Sequence, residues 1–143
     1  MANYSSREGT PITLVAVHTN EGPNALGDVG ADRAAENLAA WMDSQQVSYH
    51  RIVDDDSVVN YVADEHKAWA LRSGNPRSLN VCLIGYAAWS RSEWLAHDQM
   101  LRLAAGVVRL WCDTYGIPAV KLSSADVGAD RSGICGHVNW TEG

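Results

Sequence analysis

Two histidines lie where an imidazole could bind a metal ion. His18 follows the apolar, β-branched run Ile12–Val17, which predicts a buried strand. Such a strand would fix the direction of the residue at its end, where a cleft can open. His137 lies in the glycine-flanked segment Gly133–His137. A lone histidine is more often structural or exposed, so neither residue identifies a metal site by itself.

The other titratable residues give weaker indications of a functional site. Tyr49 and His50 alternate along a predicted strand, so only one of them readily faces a cleft; we expect Tyr49 to do so and His50 to be structural. The run Asp54–Asp56 lacks the alternating oxygen ligands and distal glutamate of a calcium loop, and predicts a solvated turn. His66 is expected to be solvated and His97 partly buried on a long helix.

The three cysteines do not show the pattern of a disulfide framework or of a cysteine-only zinc site. Their number is odd and no pair has CxxC spacing, which argues against disulfides and against a cysteine-only zinc site. Cys82 and Cys112 lie in apolar runs and are expected to be buried free thiols. Cys135 precedes His137 by two residues and could ligate a metal, although we do not favour that role.

The bulk composition indicates an ordinary globular domain. The chain has 143 residues, of which 46% are hydrophobic and 20% charged, enough for one domain with a real core. Its net charge of −6, without a Lys/Arg stripe, argues against a nucleic-acid partner. No run is long enough to span a membrane. Met1–Thr10 lacks the features of a signal peptide and is expected to be loose, which favours synthesis in the cytoplasm.

The elements around these residues mix helices and strands. A glycine- and asparagine-rich loop is predicted over Asn20–Gly30. The predicted helices are Ala31–Asp43, a turn within Glu65–Leu71, Ser92–Tyr115 closed by Gly116, and a turn near Ala125. The predicted strands after the first are Ser48–Val53, Val58–Val62, Asn80–Ala87 and Ala119–Leu122, with a loop over Gly133–Gly143. This mixture predicts an α/β fold with helices packed on a small central sheet.

Six short motifs occur in a familiar order. They are His18-Thr19, Ser48-Tyr49-His50, Ala68-Trp69, Asn75-Pro76-Arg77-Ser78, Tyr115-Gly116-Ile117-Pro118 and Gly136-His137-Val138-Asn139-Trp140. In this order the chain resembles the zinc-dependent N-acetylmuramoyl-L-alanine amidases, a family that includes phage lysozyme-amidases, bacterial amidases and animal peptidoglycan recognition proteins. The likeness is greatest to endolysin domains of phages that infect actinobacteria, and it covers residues 12–141.

The resemblance implies a central mixed β-sheet flanked by helices, and it implies roles for particular residues. His18 and His137 match the first and second zinc ligands, and Tyr49 matches a tyrosine that faces the metal and assists catalysis. The residues expected to contact substrate are Thr19, Trp69 and Asn75.

The implied reaction is zinc-dependent hydrolysis of the amide bond between N-acetylmuramic acid and L-alanine in peptidoglycan. Zinc with three protein ligands keeps a position open for water, and lowers the pKa of that water toward ~7. The implied protein is a phage endolysin domain that waits in the host cytoplasm, acts on the cell wall and lyses the host. We expect a monomer that belongs to a longer multidomain lysin and does not insert into membranes.

The sequence departs from the family at the metal site. Family members carry a third ligand a short way beyond the Gly-His motif, whereas Gly143 follows His137 by six residues and Glu142 comes too early. We therefore expect residues 1–143 to be a single catalytic domain truncated after the second ligand motif, with weak zinc binding and low activity. Cys82 stands where some bacterial relatives have a catalytic glutamate. The alternative is a non-catalytic muramyl-peptide binding module with a degenerate metal site.

Overall fold

A five-stranded mixed sheet forms the centre of the protein. The computed structural model describes residues 3–23 and 33–142. The strands are β1 (Tyr4–Ser6), β2 (Leu14–Thr19), β3 (Arg51–Val53), β4 (Val58–Asn60), β5 (His66–Ala68), β6 (Ser78–Leu83) and β7 (Gly133–Gly136). The main sheet has the order β4-β3-β6-β2-β7, and its pairs are parallel except for β3–β4. The predicted α/β fold is confirmed.

Helices cover both faces of this sheet. They are α1 (Ala34–Met42), α2 (Arg91–Ala96), α3 (Asp98–Tyr115), α4 (Ser124–Gly128) and α5 (His137–Glu142), and a 3-10 helix spans Arg72–Arg77. None of the helices within the described ranges is both long and apolar enough to cross a membrane.

The two middle strands explain why the sheet forms where it does. Every residue of β6 is buried, and β2 is buried along its first three residues, as expected for strands covered on both faces. Val15 packs with α3 in one core cluster, whereas Leu14 and Ala16 pack in another on the opposite face. Because side chains alternate along a strand, His18 shares the face of Leu14 and Ala16.

Strand pairing over long sequence distances overturns two local predictions. The segment Glu65–Leu71 does not form a helical turn, because β5 within it pairs antiparallel with β1. For the same reason residues 4–6 are ordered, and the expectation that Met1–Thr10 is loose is wrong there. Glycine content also misled the prediction of a loop over Gly133–Gly143: this segment forms β7 and α5.

The predicted long helix Ser92–Tyr115 is divided into α2 and α3 at His97, where a buried hydrogen bond joins His97 to Asp55. The Nδ1 atom of His97 lies 2.8 Å from Asp55 Oδ1, and Trp89 stacks on the imidazole with ring centroids 4.7 Å apart. Asp54 and Asp55 are both buried, so the predicted solvated turn is wrong. Asp54 accepts the backbone N–H of Ala35 and thereby holds the start of α1.

The remaining differences are mostly shifts of boundaries. The first strand begins and ends two residues later than predicted, so His18 lies inside β2 rather than beyond it. The predicted strand Ala119–Leu122 is reduced to a single bridge between Lys121 and Ile134. Gly116 ends α3 with φ +65°, as predicted for a C-terminal cap. Most of the predicted loop Asn20–Gly30 and the first residues of the predicted first helix lie outside the described residues.

Candidate metal centre and adjoining cleft

The two predicted metal ligands meet at the carboxyl end of the sheet. The Nδ1 atoms of His18 and His137 lie 3.1 Å apart, and the two rings are 5.1 Å apart at 71°. The strand register explains this approach: Val17 lies opposite Gly136 in the parallel pair β2–β7, and each histidine is the next residue of its segment. His137 is also the first residue of α5.

This pair fits two ligands of a zinc ion. Two nitrogens bound at 2.0–2.1 Å to a tetrahedral zinc are about 3.3 Å apart, close to the observed separation. Neutral imidazole is also a preferred zinc ligand. Burial lowers the pKa of His18 to about 4, although its hydrogen bond to Asn80 opposes this shift, and His137 adds to it. His18 is therefore neutral at physiological pH, the form that a metal requires.

The described side chains supply no third ligand close to this pair. Among them, the group of His, Cys, Asp or Glu residues compact enough to share a cation is Glu36, Asp54 and Asp56. That group lies at the start of α1, where Asp54 accepts the backbone N–H groups of Asp56 and Ser57. These hydrogen bonds explain the group as part of a buried turn.

Tyr49 faces the histidine pair, as the alternation of Tyr49 and His50 predicted. Its ring lies 5.1 Å from that of His18, at an angle of 50°. It lies close enough to the buried Cys82 thiol for the two groups to affect each other's pKa, and burial raises the pKa of the phenol. The phenol therefore keeps its proton and can act as a hydrogen-bond donor near the metal ligands.

The cysteines are buried free thiols. Burial raises the pKa of Cys82 to about 12, so its sulfur stays protonated beside Tyr49. Cys82 lies opposite His18 in the β2–β6 register. Cys135 packs in the core cluster with Leu14 and Ala16, and burial raises its pKa to about 11.

His50 belongs to a buried network behind the site. Its Nδ1 accepts the backbone N–H of Asn80 at 3.0 Å, and its Nε2 lies 2.9 Å from the carbonyl oxygen of His66. Burial, with Arg7 and Arg51 nearby, lowers the pKa of His50 to about 3. These contacts agree with the structural role expected for His50. His66 itself is only partly exposed and stacks on Tyr4.

A cleft adjoins the histidine pair. A cavity of about 310 Å³ is lined by Leu71, Arg72, Ser73, His137 and Trp140. A second cavity, of about 290 Å³, shares Ser73 and Trp140 with it and runs toward α4. Neither Arg72 nor Trp140 was predicted to line a functional site, although Trp140 ends one of the six short motifs. Trp140 follows His137 by three residues, a helical spacing that could have shown it, but the segment had been predicted as a loop.

The three predicted substrate contacts are not gathered in this cavity. Trp69 is half-buried, and its indole N–H donates to Ser5 Oγ at 3.1 Å. The side-chain oxygen of Asn75 accepts the backbone N–H groups of Ala70 and Leu71, so it holds the loop that carries the cleft wall. Thr19 lies next to His18, and its hydroxyl donates to Glu21 at 2.8 Å. Their contact with substrate stays a prediction.

Solved structures with the same fold come from bacterial hydrolases, endolysins and insect recognition proteins. The Staphylococcus aureus hydrolase AmiA, in complex with its ligand, is 16% identical with a TM-score of 0.68, over 99% of this chain and 63% of that one. A mutant endolysin from Bacillus subtilis is 15% identical with a TM-score of 0.61, over 96% and 80% of the two chains. Drosophila peptidoglycan recognition protein SD is 16% identical with a TM-score of 0.65, over 96% and 75%. At these identities the likeness establishes the fold.

The family assignment comes from the sequence over nearly its whole length. No curated protein sequence matches this chain. The family model of N-acetylmuramoyl-L-alanine amidase, however, matches residues 8–142 and so includes both histidines, Tyr49 and the cleft. The chain belongs to the N-acetylmuramoyl-L-alanine amidase family.

Proposed function

We propose that this chain is the catalytic domain of a phage endolysin that uses zinc to cut peptidoglycan. The bond cleaved is the amide between N-acetylmuramic acid and L-alanine of the stem peptide. The observation that carries the proposal is the approach of His18 Nδ1 and His137 Nδ1 to 3.1 Å beside an open cleft. Membership of the amidase family supports the reaction class.

His18 and His137 would hold the zinc ion through their facing nitrogens. A bound zinc ion supplies a Lewis acid for the amide carbonyl and an acidic water as nucleophile. Catalytic zinc sites take three protein ligands, and we propose that the third lies outside the side chains that the structure describes. His18 and His137 are the two ligands that the described side chains supply.

Tyr49 is the residue best placed to assist the reaction. Its hydroxyl retains a proton in a largely buried position, and its ring lies 5.1 Å from that of His18. A donor aimed at the oxygen on which negative charge develops contributes roughly 3 kcal/mol in comparable sites. We therefore assign Tyr49 the stabilisation of the tetrahedral intermediate formed when water adds to the amide carbon.

The cleft beside His137 is proposed to bind the muramyl-peptide. Trp140 provides an apolar wall, and Arg72 is an exposed cation that lines the same cavity. Thr19, Trp69 and Asn75 are proposed to contact or support the bound peptide from the adjoining segments. Since the chain carries a net charge of −6, affinity for cell wall depends on this shaped cleft rather than on general electrostatic attraction.

In the proposed biological setting the protein is a monomer that stays in the host cytoplasm until the membrane is breached. It then reaches the cell wall from the inside and lyses the cell. We propose this setting on the basis of the resemblance to endolysins.

The direct test is to incubate the zinc-loaded chain with purified peptidoglycan and to identify the new end groups. We expect free amino termini on alanine and no new reducing sugar ends, and we expect His18→Ala to release neither. Co-sedimentation with peptidoglycan and no release of amino termini would overturn the hydrolase assignment in favour of a muramyl-peptide binding module. Release of reducing ends would point to a different bond.

A further inference from the structure

Asn80 is a buried amide on the same face of the sheet as His18. It lies on β6, two residues before Cys82, which is the register partner of His18. Its side chain has no exposed surface, and its Oδ1 lies 2.8 Å from His18 Nε2. His18 is itself only 4% exposed, so bulk water does not compete for this hydrogen bond.

Asn80 is held at its other polar groups as well. Its Nδ2 donates to the hydroxyl oxygen of Ser78 at 3.0 Å, and Ser78 is also fully buried. Its backbone N–H donates to His50 Nδ1 at 3.0 Å. With the amide nitrogen directed to Ser78, the amide oxygen is the atom directed to His18.

This orientation determines where the proton of His18 resides. A side-chain amide oxygen accepts hydrogen bonds and cannot donate them, so the His18 Nε2 atom must be the donor. A neutral imidazole carries one ring proton, which leaves Nδ1 unprotonated, so its lone pair is the acceptor in the hydrogen bond with His137 Nδ1. Nδ1 is the atom that faces His137 at 3.1 Å.

We infer that Asn80 is a positioning residue that holds His18 in the Nε2–H tautomer and thereby directs the Nδ1 lone pair toward the metal position. Partners of this kind fix the ring orientation and tautomer of ligating histidines in other metal sites. The consequence for zinc rests on the proposed function. The tautomer itself is a property of the metal-free protein and is tested separately.

The opposite amide orientation makes a different prediction. If Asn80 directed its Nδ2 group toward His18, the Nε2 atom would accept the hydrogen bond and the proton would lie on Nδ1. The nitrogen facing His137 would then be blocked for metal binding.

The first experiment measures this tautomer in the intact, metal-free chain. Long-range ¹H–¹⁵N NMR correlations distinguish the two tautomers near neutral pH, and the His18→Gln variant identifies the His18 signals by their loss. We expect the Nε2–H form for His18. Observation of the Nδ1–H form would overturn the inference, and no substitution at Asn80 is needed to reach that result.

The second experiment measures zinc affinity by competition with a chromophoric chelator. Asn80→Leu removes the acceptor at similar size and is expected to weaken zinc binding by about 10- to 100-fold. Asn80→Asp keeps an oxygen acceptor and should restore most of the affinity. Unchanged zinc affinity and an unchanged His18 tautomer in Asn80→Leu would contradict the inference.

A matched control separates positioning from general loss of stability. Asn3 is another buried asparagine, and its amide donates to the carbonyl oxygens of Met42 and Val47, away from the histidine pair. Asn3→Leu should lower stability without changing the tautomer of His18 or the affinity for zinc. If wild type binds no zinc, the proposed function fails, while the tautomer measurement still decides the role of Asn80.

Discussion

His18 Nδ1 and His137 Nδ1 lie 3.1 Å apart although 119 residues separate them in the chain. Their meeting follows from the parallel pairing of β2 with β7, in which Val17 lies opposite Gly136. A slip of one residue in this register would direct the side chains of β7 to the other face of the sheet. The candidate metal centre therefore depends on the pairing of a short, glycine-flanked edge strand.

Replacement of Tyr49 tests its proposed role in the reaction. Tyr49→Phe removes the hydroxyl and keeps the ring beside His18. We expect turnover on peptidoglycan to fall by about 100-fold with zinc binding unchanged, because only a transition-state donor is lost. Tyr61 is the matched control, because its hydroxyl donates to Asp43 at 2.8 Å. Tyr61→Phe should retain turnover. Full activity of Tyr49→Phe would remove this residue from the mechanism.

Replacement of Arg72 tests whether the cavity beside His137 binds substrate. The side chain is exposed and lines that cavity, so Arg72→Ala should leave zinc binding intact. If its guanidinium binds a carboxylate of the stem peptide, its loss removes about 1.5–3 kcal/mol and raises KM by tenfold or more. Steady-state kinetics on soluble muramyl-peptides would measure this change. Equal KM values for wild type and Arg72→Ala would place substrate elsewhere, and Arg91→Ala on α2 provides an exposed-arginine control.

Gly106 within α3 and Gly116 at its C-terminal cap should respond to alanine in opposite directions. Gly116 has φ +65°, a conformation that costs a side-chain-bearing residue roughly 1–2 kcal/mol, so Gly116→Ala should destabilise the protein. Gly106 lies in the middle of the helix with open space where a Cβ would be, so Gly106→Ala should stabilise by about 0.5–1 kcal/mol. Urea unfolding measures both. Shifts of the same sign would contradict this account of the helix.

His50 should make stability depend on pH. Its pKa is about 3 in the folded chain against an ordinary value of 6.5, so the unfolded chain binds the extra proton first as pH falls. The stability contributed by neutral His50 is fully present above pH 6.5 and is lost progressively below it. The free energy of unfolding of His50→Gln should therefore fall less steeply than that of wild type between pH 6.5 and pH 3. Urea unfolding with a metal chelator present measures this difference. Parallel curves for the variant and wild type would show that His50 does not titrate in this way.

Continuous apolar patterns predicted the central part of the fold well. The β-branched run that ends near His18 and the apolar run around Cys82 correspond to the two middle strands, β2 and β6. Alternation along a strand correctly separated Tyr49, which faces His18, from the buried His50. These inferences succeeded because burial on a sheet leaves a signal in neighbouring residues.

Features that depend on distant partners could not be predicted in this way. The pairing of Tyr4 with Ala68 orders both segments, yet neither has a strong strand pattern by itself. At the helix break, His97 contacts the buried carboxylate of Asp55, which lies 42 residues earlier. Trp140 and Arg72 come together only because α5 packs beside the loop that Asn75 holds.

Zinc titration of wild type, His18→Ala and His137→Ala tests the central claim most directly, with His66→Gln as a histidine control outside the pair. The account predicts one zinc site per wild-type chain, retained in His66→Gln and lost in each of the two alanine variants. Zinc binding by His18→Ala or His137→Ala with wild-type stoichiometry and affinity would contradict it.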